Sequence, residues 1–263
     1  MPQESAAAPL TDRFGRQVTY LRMSVTDRCD LRCVYCMSEE MTFVPRNQLL
    51  TLEELIRVGR TFTRLGVHKI RITGGEPLTR RNVLKLFAAL GQEPDLDDLT
   101  LTTNATLLPR YARQLKEAGV RRINISLDSL RPERFHRITR VGRLEKTLAG
   151  IDAALAAGFE RIKINTVVLK HRNHDEVLDL VEFASSRGMD ISFIEEMPLG
   201  IIEEHDRAEL YYSSDQILAD LRRRYDLVAT TETTGGPSRY YRLPHSGTRV
   251  GFISPHSHNF CEQ

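Results

Sequence analysis

The sequence predicts an α/β fold, a partial (βα)6 TIM-like barrel followed by a short C-terminal extension that contains β-strands. Three observations favour this fold: short β-rich segments alternate with longer amphipathic segments, glycines end several of the helical segments, and most strands have one polar face. A closed barrel of this type needs eight βα units, and the sequence provides six. We therefore expect an open barrel over residues 1–198 and the beginning of an extension over residues 199–263.

The predicted elements follow one another in a regular βα order. The strand candidates are residues 18–25, 68–73, 98–104, 121–127, 161–168 and 190–196. Helical spacing of apolar residues is seen over 52–65, 83–90, 111–118, 144–157 and 177–187. Four of these helical segments are followed by a helix-ending glycine, namely Gly66, Gly119, Gly158 and Gly188. Beyond Glu196 the pattern weakens to one helix near 216–224 and two strands around 239–243 and 249–253.

The strands have an unusual polar face. Alternate residues of a strand point to opposite faces, and in five of the six strands one face is polar: Arg22, Ser24 and Thr26; Lys69, Arg71 and Thr73; Thr100, Thr102 and Asn104; Asn124, Ser126 and Asp128; Lys163 and Asn165. Parallel sheets are usually buried on both faces. An open sheet with one wet side would explain the pattern. We favour a wide partial barrel around a polar, ligand-filled cavity, because Arg and Lys in a dry interior are costly.

Composition and charge limit the possible functions. Lys plus Arg number 37 and Asp plus Glu number 35, so no field of one sign covers the surface and nonspecific nucleic-acid binding is not indicated. The opening residues MPQESAAAPL do not resemble a secretory signal, and no run of 18 apolar residues follows. We therefore expect a cytoplasmic protein without a membrane partner. Closely spaced cysteines in such a reducing compartment more often hold metal or perform catalysis than form disulfides.

Three of the four cysteines lie in one short loop after the first predicted strand. Cys29, Cys33 and Cys36 have the spacing Cys-x3-Cys-x2-Cys. A structural zinc site usually has four ligands in two separated pairs, whereas three thiolates in one loop suit an iron–sulfur cube whose fourth iron stays open. A zinc site completed by a distant His or by Cys261 remains an alternative, as do three core cysteines without metal.

This loop, CDLRCVYC at residues 29–36, resembles the signature of radical S-adenosylmethionine enzymes. The resemblance implies a 4Fe–4S cluster on Cys29, Cys33 and Cys36 whose open iron is chelated by S-adenosylmethionine. The segment ITGGEPL at residues 72–78 is similar to the glycine-rich stretch of that family, whose backbone meets the methionine amino group. Gly75 is assigned to this contact, since glycine lets the main chain approach a ligand closely. The resemblance also implies that Tyr35, Ser126 and Met197 contact the same cofactor.

Flanking segments narrow the resemblance further. In order along nearly the whole chain, FGR, LRMSVTDRC, KIRITGGEPLTR, LTTNATLL, NISLDSL, IKINTVV and HNFC resemble the MoaA family, the GTP 3',8-cyclases of molybdenum-cofactor biosynthesis. The resemblance implies abstraction of the ribose 3' hydrogen of GTP and closure onto guanine C8, giving (8S)-3',8-cyclo-7,8-dihydroguanosine 5'-triphosphate. It implies as partners a reductant of unknown identity and a downstream cyclic pyranopterin synthase, and it leaves a homodimer open.

The family's contacts with GTP fall on Arg22, Arg71, Thr102 and Lys163, all on the polar strand face. The arginines and the lysine on that face suit a triphosphate, because Arg presents a fork of donors and Lys a point charge to phosphate oxygens.

The resemblance further implies a second 4Fe–4S cluster, held by Cys-x2-Cys and one more cysteine. The sequence reaches Cys261 and ends at Gln263, one residue before the next cysteine of that pattern. A lone Cys261 cannot hold a cube, so we expect the first cluster only, with about four irons per chain, and no cyclisation of GTP. Two alternatives remain: a radical S-adenosylmethionine enzyme acting on a peptide or another small molecule, and a zinc-stabilised module without catalysis.

Overall fold

The structure is a computed structural model that describes residues 10–38, 40–197, 202, 205–244 and 246–258. Its described strands are β1 (Tyr20–Ser24), β2 (Lys69–Thr73), β3 (Asp98–Thr103), β4 (Val120–Ser126), β5 (Arg161–Val168), β6 (Asp190–Glu195), β7 (Val228–Ala229), β8 (Arg239–Arg242) and β9 (Arg249–Ile253). Its described α-helices are α1 (Leu52–Arg64), α2 (Leu84–Leu90), α3 (Leu108–Glu117), α4 (Pro132–Thr139), α5 (Leu144–Ala157), α6 (Val177–Ser185), α7 (Arg207–Leu210) and α8 (Ser214–Arg222).

The described strands form one sheet in the order β1-β2-β3-β4-β5-β6-β9-β8-β7, with β1 and β7 as its end strands. The sheet is therefore open, as expected for a partial barrel. All six predicted βα strands are present, and the four helix-ending glycines Gly66, Gly119, Gly158 and Gly188 each have a positive φ, between 66° and 93°. Among the described residues, no helix is both long and apolar enough to span a bilayer.

The chain divides into two compact units that interleave along the sequence. The first unit contains Met1–Cys29, Phe43–Ile123 and Gly150–Glu160, and the second contains Asp30–Thr42, Asn124–Ala149 and Arg161–Gln263. These units are defined by which residues pack together in space, not by a single boundary in the sequence. The predicted division at residue 198 therefore stays a prediction.

In the first unit, β1, β2 and β3 are parallel and in register, so that Met23, Ile72 and Leu101 share one row. Their apolar face is buried, as the alternation predicts. Helix α1 begins with a capping box between Thr51 and Glu54, which satisfies backbone N–H groups that the helix leaves free.

In the second unit, the extension continues the sheet. Strand β9 pairs with β6 in parallel, and β8 and β7 follow in antiparallel order. Phe193 of β6 and Phe252 of β9 pack with ring centroids 6.2 Å apart. The residues after β6 therefore return to the same layer, and β8 and β9 occur where two strands are predicted.

Three helical details differ from the prediction. Helix α3 begins at Leu108 and has Pro109 in its first turn, where proline needs no backbone hydrogen bond. Helix α4 was not predicted, although Pro132 begins it and Phe135 and Ile138 are buried on one face. The helix near residues 216–224 begins at Ser214, because Ser213 and Gln216 form a capping box there.

Candidate functional site

Cys29 lies in the first unit, directly after a segment that packs closely against the glycine-rich loop. Gly75 N donates to Thr26 O at 2.7 Å, and Glu76 N donates to Arg28 O at 2.7 Å. A Cβ on Gly75 would lie 2.4 Å from Arg28 O, which no real side chain tolerates. The sequence assigned Gly75 to a close approach to a ligand. The structure shows that the backbone before Cys29 already requires a glycine at this position.

The polar face of the first unit is cationic. Arg22 and Arg71 are register partners on β1 and β2, and Thr100 of β3 continues their row. Thr102 lies on the same face two residues further along β3, because side chains alternate. Neighbouring parallel strands lie roughly 4.8 Å apart, so the two arginine side chains begin close together.

A cluster of charged side chains that is only partly neutralised lies beside this arginine pair. Lys69 and Arg122 both contact the Asp98 carboxylate, Lys69 with an Nζ to Oδ2 distance of 3.5 Å. Burial lowers the pKa of Lys69, Asp98 opposes this effect, and the charges of Arg122 and Arg71 add to the lowering. Including Arg22, four cationic side chains share this face with one carboxylate, and an anionic ligand would relieve their mutual repulsion.

Cys33 and Cys36 lie in the second unit, on a loop fixed by the end of α4. Cys36 N donates to Cys33 O at 2.9 Å, which makes the turn between the two thiols. Arg140 Nη1 donates to the carbonyl oxygens of Arg32 and Met37, at 3.0 and 3.1 Å. Arg140 has a φ of 60°, which is uncommon for a residue other than glycine. No sequence pattern indicated Arg140, since only the folded chain brings it against the cysteine loop.

Tyr35 is anchored through its hydroxyl. Tyr35 Oη donates to Asp128 Oδ2 at 2.7 Å, and Val167 N donates to Asp128 Oδ1 at 2.9 Å. Burial raises the pKa of Asp128 to about 6, although both hydrogen bonds oppose the rise. Burial, followed by the charge of Asp128, raises the pKa of Tyr35 well above its ordinary value. Ser126 is half-buried two residues before Asp128, at the end of β4.

The thiol of Cys36 is affected by the same surroundings. Cys36 is exposed at the surface. Even so, the surrounding atoms of its own chain reduce the solvation of the thiol, and this effect, followed by the charge of Asp128, raises the pKa of the thiol. Metal binding would oppose this rise, because the thiolate is the form that coordinates a metal.

Lys163 of β5 contacts the extension. Lys163 Nζ donates to Tyr240 Oη at 3.2 Å, and Tyr240 Oη also shares a hydrogen bond with Thr234 Oγ1 at 3.1 Å. Burial would raise the pKa of Tyr240, but the charge of Lys163 and the hydrogen bond with Thr234 bring it below its ordinary value. Tyr240 is only 2% exposed, and no local sequence pattern indicated this contact.

Gly251 makes room for this arrangement. Gly251 of β9 is the register partner of Tyr240 on one side and of Ser192 on the other. A Cβ at Gly251 would lie 2.3 Å from Ser238 Oγ and 2.8 Å from the ring of Tyr240. The missing side chain thus lets Tyr240 lie over β9.

The remaining predicted site residues divide between described and undescribed parts. Met197 is half-buried after β6, next to Glu196, which accepts a hydrogen bond from His205 Nε2 at 2.9 Å. Cys261 lies outside the described residues. Within the first unit the structure groups Arg22, Arg71 and Thr102 on one face, and within the second it places Tyr35 and Cys36 on one anchored loop.

The donor set fits a 4Fe–4S cluster. Among residues 10–38, 40–197, 202, 205–244 and 246–258, no group of three His, Cys, Asp and Glu side chains surrounds a single ion position. An iron–sulfur cube does not need such a position, because each cysteine binds a different iron. Within the first unit, backbone hydrogen bonds hold Thr26–Arg28, which lead into Cys29; within the second, they hold Cys33–Met37. Three thiols on so short a loop are the ligand chemistry of such a cube.

Two family descriptions match the chain. Residues 23–184 match the family described as the Radical SAM superfamily, and residues 189–263 match the one described as Molybdenum Cofactor Synthesis C. The first covers most of the predicted βα units, and the second covers β6 and the extension.

Curated relatives and solved structures agree with these two family descriptions. The chain is 60% identical over 252 residues to the GTP 3',8-cyclase of Ectopseudomonas mendocina, covering 96% of this chain and 76% of the relative. It is 58% identical to GTP 3',8-cyclase 2 of Pseudomonas aeruginosa, with the same coverage. Its structure is similar to Streptococcus suis SuiB bound to S-adenosylmethionine, with a TM-score of 0.60 at 21% identity over 78% of this chain and 45% of that one. At that identity the structural likeness shows the fold, a partial barrel.

Proposed function

The chain belongs to the GTP 3',8-cyclase family of radical S-adenosylmethionine enzymes, and from this premise we propose how its own residues serve that reaction. The activity of the family is the conversion of GTP to (8S)-3',8-cyclo-7,8-dihydroguanosine 5'-triphosphate in molybdenum-cofactor biosynthesis. The cofactors are a 4Fe–4S cluster and S-adenosylmethionine. When bound, they supply a 5'-deoxyadenosyl radical that removes a hydrogen atom from the substrate.

Cys29, Cys33 and Cys36 are the proposed ligands of the cluster. The support is their spacing, together with backbone hydrogen bonds that hold Thr26 and Arg28 in the first unit and Cys33 and Cys36 in the second. Gly75 is proposed to offer a backbone carbonyl to the methionine amino group, since its N–H already donates to Thr26 O. Ser126, Met197 and Tyr35 are proposed contacts of the nucleoside part; of these, Tyr35 has its hydroxyl engaged by Asp128 and keeps its ring for packing.

One observation carries the substrate assignment: Arg22 and Arg71 occupy the same row of neighbouring strands on a polar face. Two adjacent guanidinium groups repel each other, and a polyphosphate with oxygens on both sides would satisfy them at once. Thr102, on the same face, is proposed to donate its hydroxyl to the substrate. Lys163 is proposed to provide a further positive charge, in the orientation that Tyr240 Oη gives its ammonium group. These residues bind and orient GTP, and no proton transfer is assigned to them.

The other parts of the proposal concern organisation and partners. We propose a radical S-adenosylmethionine part over residues 1–198 and an extension that begins at residue 199. A reductant must provide the electron for the cluster, and a cyclic pyranopterin synthase would consume the product. A homodimer is proposed as the oligomeric state. A reducing, cytoplasmic location suits three cysteines that must stay available to iron.

Equilibrium binding to the anaerobically reconstituted chain tests the substrate assignment. Arg22→Met and Arg71→Met should each weaken GTP binding roughly 10- to 100-fold, which corresponds to about 1.5–3 kcal/mol for a hydrogen bond to a charged group. The same variants should change guanosine binding little, because guanosine has no phosphate. Arg113→Met, at an exposed position of α3, is the control and should bind both ligands like the parent. Equal losses for GTP and guanosine, or none, would contradict the assignment and favour a radical enzyme with another substrate.

A further inference from the structure

The amide side chain of Asn104 contacts the sulfur of Cys29. Asn104 follows β3 in the first unit, and its Nδ2 donates to Cys29 Sγ at 3.8 Å. Sulfur is larger than oxygen, so a hydrogen bond to it is longer than one to a carbonyl. Asn104 is 7% exposed, which shields the contact from water.

The orientation of the amide follows from its other end. Asn104 Oδ1 accepts hydrogen bonds from Thr106 N at 3.0 Å and from Thr106 Oγ1 at 2.8 Å. A backbone N–H can only donate, so the atom that faces Thr106 N must be the amide oxygen. The nitrogen, with its two hydrogens, is therefore the atom that faces Cys29.

Glu76 holds the backbone of this segment. Its carboxylate accepts from Asn104 N at 2.7 Å and from Thr103 Oγ1 at 2.9 Å, while its own N–H donates to Arg28 O at 2.7 Å. Glu76 is 1% exposed. One buried residue thus links the end of β3 to the residue before Cys29, and the separation between the amide and the sulfur is fixed from both sides.

We propose that Asn104 is a positioning residue that tunes the cluster, raising its reduction potential by donating an N–H hydrogen bond to the Cys29 sulfur. Reduction adds negative charge that is shared with the thiolate sulfurs, and a donor at one of them stabilises the reduced state more than the oxidised state. The inference rests on the proposed function in one respect, that Cys29 is a cluster ligand.

A redox titration followed by electron paramagnetic resonance tests this inference. The protein is the full chain, reconstituted anaerobically with iron and sulfide and titrated without substrate. Asn104→Leu removes the donor at similar size. Asn104→Asp keeps an oxygen for Thr106 and turns a second oxygen toward the sulfur. Both variants should keep the iron content of the parent and have a more negative midpoint potential, with the aspartate variant shifted at least as far as the leucine variant.

Two further variants separate tuning from loss of structure. Thr106→Val removes one donor that orients the amide, and it should shift the potential in the same direction by less. Thr100→Val, also buried on β3, should leave the potential unchanged. Parent-like potentials in both Asn104 variants would overturn the proposal, and so would failure of both to bind iron, since Asn104 would then be structural. A parent chain that binds no iron would instead overturn the cluster assignment itself.

Discussion

Replacing Tyr240 by phenylalanine isolates a single hydroxyl that orients Lys163. The ring should stay in place, because it is almost fully buried and the Arg249 guanidinium lies 5.4 Å from its centroid. Lys163 would keep its cation–π contact with the ring, at 5.7 Å, and lose the acceptor at 3.2 Å. The variant therefore alters how Lys163 is held and leaves its charge unchanged.

The expected effect on GTP binding is modest and calculable. Ordering a long side chain on binding costs about 0.5–1.5 kcal/mol. The hydrogen bond to Tyr240 orders the Lys163 side chain before the ligand binds, so that this cost does not reduce the affinity for GTP. Without it, the Kd for GTP should rise roughly two- to tenfold. Isothermal titration calorimetry on the anaerobically reconstituted chain measures this directly, with Tyr241→Phe, the next residue of β8, as the matched control.

A double-mutant cycle with Lys163→Met decides whether the effect passes through the lysine. When Lys163 is absent, Tyr240→Phe should have almost no further effect, so the two losses should not add. Fully additive losses, or a Tyr240→Phe variant that binds GTP like the parent, would refute the view that Tyr240 acts by orienting Lys163.

Three other variants test the cysteine loop and the extension. Arg140→Ala removes two donors to carbonyls of the cysteine loop and should lower the unfolding free energy by about 1–2 kcal/mol and reduce iron incorporation, measured colorimetrically. Gly75→Ala places a Cβ against Arg28 O and should abolish most iron binding in the same assay. Glu195 accepts hydrogen bonds from Ser214 N and His256 N. Burial alone would raise the pKa of Glu195, but its hydrogen bonds bring the pKa below the ordinary 4.5. Its stabilisation should be complete above about pH 4.5 and lost as pH falls through the lower, folded-state pKa, and urea unfolding should show that Glu195→Gln lacks this dependence.

Each of these three predictions has a control. For Arg140, the control is Arg143→Ala, at an exposed position shortly after it in the sequence. If both variants took up iron equally, Arg140 would have no special role. Gly236→Ala meets nothing within 4 Å and should be neutral; normal iron uptake by Gly75→Ala would show that the loop shifts easily. For Glu195, the exposed Glu209→Gln is the comparison, and an unchanged acid dependence in Glu195→Gln would contradict the reasoning.

Some properties of the chain were predictable because they repeat or lie close together in sequence. The presence of the six βα strands, most helices and the four helix-ending glycines follow from periodicity and from the backbone freedom of glycine. The cysteine spacing is also local, and it indicated the cluster and the family. Helix α4 was missed, since eight residues with only three buried positions give a weak periodic signal.

The sequence by itself determined the fold class, the family and the chemical types of the site residues, because these depend on local patterns that neighbouring residues set. Only the tertiary structure decided which distant side chains contact and orient these site residues. Tyr35 meets Asp128 across 93 positions, Lys163 meets Tyr240 across 77, and Asn104 meets Cys29 across 75. Such pairs depend on strand register and crossover packing, and no local period in the chain encodes which distant residues these bring into contact.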